Sequence, residues 1–227
     1  MTVIVNPKKI TLLMLKINMG LVLLNILGQV IGILIESKSG SAFLEFSQKQ
    51  SILRLYSTQL LVLCSTLFLF IALKRKGESS GGYYYWMGLF VIFFFLAIAK
   101  DTSLDEQLGA LLQILLGISR STVFVIAYAV AMIIIPAIYL KFFLHLPANT
   151  KIWFVAGSIT FLTGAFLLDL LTAYLGRMLD YRTITYIISS SLEVLLESSG
   201  IIILIFTLLS FISIELNVEK VEFLIKQ

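Results

Sequence analysis

One cysteine, one histidine and three prolines are all that this 227-residue chain offers of the residues that staple, ligate and break. A lone Cys64 excludes an intramolecular disulfide framework. Cys64 and His145 stand on different segments, so they cannot build a usual zinc site, and neither a Ser-His nor a Cys-His nucleophile pair can be placed. Walker, Rossmann and haem-attachment patterns are missing as well. These gaps argue against metal-free hydrolytic, redox and nucleotide chemistry. Charge is scarce too, at 13% of residues, and a net +4 is too diffuse for a nucleic-acid footprint although it suits contact with anionic lipid.

Apolar residues are what the chain has in quantity. They make up 59% of it, and the mean hydropathy is +1.01. A soluble domain cannot hide that much apolar surface, whereas a bilayer accepts it provided the backbone is satisfied within the chain. No alternating ten-residue pattern suggests a barrel, so the expected fold is all-α, a polytopic transmembrane helical bundle. A span needs about 20 apolar residues to cross roughly 30 Å of hydrocarbon. Six segments qualify, at about 10–35, 56–73, 83–99, 123–140, 152–174 and 195–214, within a single integral membrane domain over 1–227. The stretch 104–118 is short and carries Asp105, Glu106, Gln107 and Gln113, which predicts an interfacial helix. The tail 215–227 mixes Val218, Val221, Phe223 and Leu224 with charges and predicts a short amphipathic cytoplasmic helix. Residues 10–35 form too long an apolar run for a signal peptide and are read as a retained helix.

Orientation follows from basic residues in short loops. With the N-terminus inside, ten Lys and Arg fall on the cytoplasmic side and seven outside, the cluster Lys74-Arg75-Lys76 weighing most. Both termini are therefore expected in the cytoplasm. In this topology Asp105 and Glu106 follow the third span, Asp169 lies about a turn from the outer end of the fifth, and Glu193 and Glu197 open the sixth. All five carboxylates then face the extracytoplasmic side. Carboxylates beside lipid are costly and mark functional sites, and oxygen-rich sites suit hard divalent cations such as Ca²⁺ or Mg²⁺. Against that stands the plainer reading of solvated charges paired with Arg120, Arg177 and Arg182. In the first span, Asn18, Asn25, Gln29 and Gly32 lie near one stripe, which reads as helix packing through amides and small residues before it reads as a substrate path.

The motifs resemble those of a group of largely uncharacterised multi-spanning bacterial membrane proteins. That pattern carries S-x-D-E after the third span, matched by Ser103-Leu104-Asp105-Glu106, and L-P before the fifth, matched by Leu146-Pro147. Gly164-Ala165 with Asp169 matches G-A-x-x-x-E with Asp for Glu. Glu193, Glu197 and Gly200 match E-E-x-x-E-M-x-G, with Val194 and Ser198 in place of its second Glu and its Met. The similarity runs from about Phe43 to Ile214, and Leu111-Leu112 stand where the pattern has a His-Glu pair. The resemblance implies a bacterial inner-membrane protein and no particular activity.

The expected function is a non-enzymatic small carrier or an accessory component of a membrane assembly, partnered by lipids and other membrane subunits. Its candidate ligand-binding residues are Asp105, Glu106, Asp169, Glu193 and Glu197, with a divalent cation as the candidate cofactor. An intramembrane metal-dependent hydrolase of lipid or envelope precursors is the alternative, weakened by the missing His-Glu pair.

Overall fold

The computed structural model describes residues 2–4, 6–34, 52–76, 82–102, 114, 120–179, 183–215 and 220–222. Its helices are α1 (Pro7–Leu34), α2 (Ile52–Lys74), α3 (Gly82–Thr102), α4 (Arg120–Leu144), α5 (Ala148–Met178) and α6 (Ile184–Glu215). Two short strands, β1 (Thr2–Ile4) and β2 (Lys220–Glu222), pair antiparallel with Thr2 opposite Glu222. Five of the helices, all but α4, are long and apolar enough to cross a membrane among the described residues. In α4 the apolar stretch so described is Ile133–Leu144.

The helices outrun the expected spans because nothing in the flanking sequence stops them. The largest difference is at α6. A span beginning near residue 195 treats Glu193 as its boundary, yet Ile184–Leu192 is uncharged and contains no Gly or Pro, so the helix starts at Ile184. Glu193 and Glu197 therefore do not open the helix: they lie nine and thirteen residues inside it. At 1.5 Å per residue this is about 14 and 20 Å from its first residue. The tail also differs from expectation. Val221 flanked by Lys220 and Glu222 alternates, and alternation with a β-branched residue suits a strand against Thr2-Val3-Ile4 rather than a helix.

The chain packs as two compact units, residues 1–60 with 152–227 and residues 61–151. In the second unit an aromatic core joins α2, α3 and α4. Phe68 lies 6.0 Å from Trp86 and 5.0 Å from Phe93 between ring centres, and Phe142 stacks on Tyr85 at 5.1 Å and meets Trp86 edge-on at 5.0 Å. The Tyr139 hydroxyl donates to the Tyr85 carbonyl at 3.3 Å and sits over Gly88, where a Cβ would collide with it. At the C-terminus of α4, His145 Nδ1 donates to the Lys141 carbonyl at 2.6 Å and Lys151 Nζ donates to the Leu144 carbonyl at 3.0 Å. These groups cap carbonyls that the helix leaves open.

In the first unit α1 begins with an N-cap, the Lys9 amide donating to Asn6 Oδ1 at 3.3 Å, followed by Pro7 at the first helical position. Its two faces invert the rule for soluble helices. Asn18, Val22, Asn25 and Gly28 are buried at steps of four, three and three, while Leu12, Leu13, Leu23, Leu24, Leu27 and Ile31 are exposed. An outward leucine face over an inward amide face fits acyl chains as solvent and a partner helix as polar company.

Candidate functional site

The first unit's polar residues are set by two seams that α6 makes, one with α5 and one with α1. Along α5 the contacts keep one antiparallel register. Gly157 meets Leu204, Gly200 meets Phe161, Gly164 meets Glu197, and Thr172 Oγ1 lies 3.1 Å from Ser189 Oγ in a buried hydroxyl pair. The α6 residues involved, Ser189, Glu193, Glu197, Gly200 and Leu204, recur at four, four, three and four, one face of a helix.

Gly164 and Gly200 are what allow the backbones this close. A Cβ on Gly164 would strike the Glu197 amide nitrogen and lie 2.8 Å from the Glu193 carbonyl oxygen. One on Gly200 would strike the Phe161 backbone nitrogen and lie 2.6 Å from its Cα. At the same place α5 leaves the α-helical pattern: Thr163–Leu168 is a π turn, and the α-helix resumes at Asp169. Thr160 and Thr163 return their hydroxyls to the carbonyls of Ala156 and Ile159, each at 2.8 Å, just before it. Such back-bonding bends helices, and π turns concentrate at functional places.

The seam therefore brings the backbone of Glu193 and Glu197 against Gly164, and its register sets Asp169 level with Leu192 and Glu193. Glu197 is 8% exposed, Glu193 half-buried and Asp169 exposed, and all three are engaged in interactions. The other two candidates, Asp105 and Glu106, lie outside the described residues. Among the described residues, no three of His, Cys, Asp and Glu are grouped so that they could hold a metal ion.

The second seam carries side chains that the sequence marked on α1 and partners that it did not mark on α6. Asn18, fully buried, accepts from Ser198 Oγ at 2.7 Å through Oδ1 and donates to Ser199 Oγ at 3.2 Å through Nδ2. Ser198 also lies 2.5 Å from the Val194 carbonyl. Ser189, Ser191 and Thr207 on α6 and Thr172 on α5 are buried as well. The signal that could have found them is the triple Ser189-Ser190-Ser191 inside an uncharged helix. The seven-residue step from Ser191 to Ser198 also repeats the step from Asn18 to Asn25.

A family model described as Domain of unknown function (DUF8692) matches residues 21–212. The chain belongs to this family. The DUF8692 match takes in all five candidate carboxylates, both glycines of the α5–α6 seam, and Asn25, Gln29 and Ser191, while Asn18 precedes it. No curated protein and no solved structure matches the chain.

Proposed function

We propose that this protein is a six-span carrier or accessory component of the bacterial inner membrane, with Glu197 the cation-responsive residue of its first unit. A divalent cation is the ligand class that hard oxygen donors favour. The single observation that carries the reading is Glu197, a carboxylate residue 8% exposed, thirteen residues into an apolar helix whose backbone packs there against a glycine of α5. A carboxylate kept there against its desolvation cost is expected to serve a ligand or a proton.

Helix direction supports a reading of six crossings. α1 and α6 are antiparallel, since β1 before α1 pairs with β2 after α6 and Asn18 bonds to Ser198. The two ends of the chain then share one side, and the number of crossings is even. α5 is also antiparallel to α6, so an odd number of crossings separates α1 from α5: α2, α3 and α4. The stretch 104–118, apart from Ile114, lies outside the described residues. The positive-inside count puts the shared side in the cytoplasm. Lipid is the partner of the outward leucines of α1.

The test is the thermal midpoint of the purified protein in detergent, titrated with Mg²⁺, Ca²⁺, Na⁺ and K⁺. Mass action requires a ligand of the folded state to raise the midpoint. At least one cation should do so for the native chain and fail to do so for Glu197→Gln. An absent response in the native chain, or the same response in the variant, would sink the proposal.

A further inference from the structure

The α1–α6 seam is satisfied at one level and unsatisfied at the next. Seven residues on from Asn18 is Asn25, and seven back from Ser198 is Ser191. In antiparallel helices those steps bring Asn25 and Ser191 opposite each other on the faces that already join Asn18 to Ser198. Both are buried, at 5% and 2% exposure, and neither Asn25 Oδ1 nor Ser191 Oγ has a hydrogen-bond partner. One turn further along α1, Gln29 holds its Nε2 buried and without a partner as well. Between them on α1 stands Gly28, buried and with no side chain to fill the space.

Three orphaned polar atoms on neighbouring turns of a buried seam, beside a glycine, call for a shared partner. Left dry, each atom would cost the full desolvation of a polar group. The donor set decides what that partner is. Asn25 Oδ1 only accepts, Gln29 Nε2 only donates, and Ser191 Oγ does either. A bare cation would meet the Gln29 N–H, and an anion would meet the Asn25 oxygen. A neutral molecule with two donors and two acceptors fits all three.

We propose that this seam holds a bound water molecule bridging Asn25 Oδ1, Ser191 Oγ and Gln29 Nε2. The water donates to the first two atoms and accepts from the third, within the two to four bonds usual for internal water. The first unit is then joined dry at the Asn18 level and wet two turns away. Ser191 faces α1 whereas Glu193 faces α5, so the water site is separate from the carboxylates and does not depend on their proposed role.

The sign of a mutational effect tests this. If the water is present, Ser191→Ala removes one of its partners and lowers the thermal midpoint by about 2–4 °C. If no water is there, the same change deletes an orphaned hydroxyl, and a midpoint that is unchanged or raised overturns the proposal. The triple variant Asn25→Leu/Gln29→Leu/Ser191→Ala, which removes every partner together, should recover most of the loss. A midpoint no better than that of Ser191→Ala alone would count against the bridge. Independently of any variant, an experimental structure of the native protein in lipid nanodiscs, at a resolution that reveals ordered water, should contain density within hydrogen-bond reach of all three atoms. A direct Asn25–Ser191 bond there, or no such density, overturns it.

Discussion

At the level of single residues, the second unit contains a contact whose energetics are unusually easy to isolate. The Tyr139 hydroxyl occupies the space that any side chain at Gly88 would need. Gly88→Ala should destabilise the protein by about 1–3 kcal/mol, the usual range for overpacking. Tyr139→Phe alone should cost no more than about 1 kcal/mol, the net worth of its 3.3 Å bond to Tyr85. Combined, they should be less damaging than Gly88→Ala alone, because without the hydroxyl the nearest remaining tyrosine atom to the new methyl is 3.5 Å away, an ordinary contact. A double-mutant cycle on thermal midpoints in detergent reads this coupling, and additive effects would contradict the geometry.

Much of the residue-scale pattern was legible in the sequence. The amide stripe of α1 follows from spacing, and Asn18 does bond across helices as that stripe implies. Its partners were not legible. Serine in an apolar helix carries no directional signal until the helix facing it is known, so Ser191 and Ser198 drew no notice as a pair. Glu193 and Glu197 read in the sequence as a helix end, because charge marks where an apolar span stops. In the structure both lie inside α6, Glu197 buried and Glu193 half-buried.

At the scale of elements, the π turn and the two close-approach glycines belong together. Thr163–Leu168 fits more residues into a turn than an α-helix does, and Gly164 within it meets the backbone of α6. The antiparallel register is the same on both sides of the widened turn, where Gly157 faces Leu204 and Thr172 faces Ser189. Gly164→Val should therefore lower stability by about 3 kcal/mol or more, since both helices would have to separate at backbone rather than side-chain contacts. Gly20 supplies the control: nothing lies within 4 Å of a Cβ there, and Gly20→Ala should be neutral or stabilise the helix by up to about 1 kcal/mol. Equal effects of the two substitutions in thermal denaturation would refute the close-approach argument. Gly164-Ala165 stands out in the sequence only through its resemblance to the G-A-x-x-x-E motif, and a π turn leaves no periodic signature in a uniformly apolar run.

At the scale of the whole molecule, the fold class was written in composition and the internal division was not. Five long apolar helices emerge where spans were expected, yet the boundaries of the two units fall inside the continuous helices α2 and α5, where no shift in residue type marks them. The pairing of β1 with β2 is the feature that relates the ends, and it is directly testable. In a chain whose Cys64 has been replaced by alanine, Thr2→Cys with Glu222→Cys should oxidise to an intramolecular disulfide, since the two residues are cross-strand partners. Thr2→Cys with Thr172→Cys should not. Non-reducing electrophoresis after mild oxidation distinguishes the two, and equal cross-linking would contradict the pairing.

That pairing also has a meaning in time. Residues 2–4 are the first of the described residues to be synthesised and 220–222 the last, and the helices that follow and precede them, α1 and α6, stand in the same relation. Until α6 is complete, Asn18 has neither Ser198 nor Ser199 to bond, so α1 must wait in the bilayer with its amides provisionally satisfied by water, lipid or another helix. The α1–α6 seam thus cannot close before α6 has been made, and a chain truncated before Ser198 leaves Asn18 without either of its serine partners.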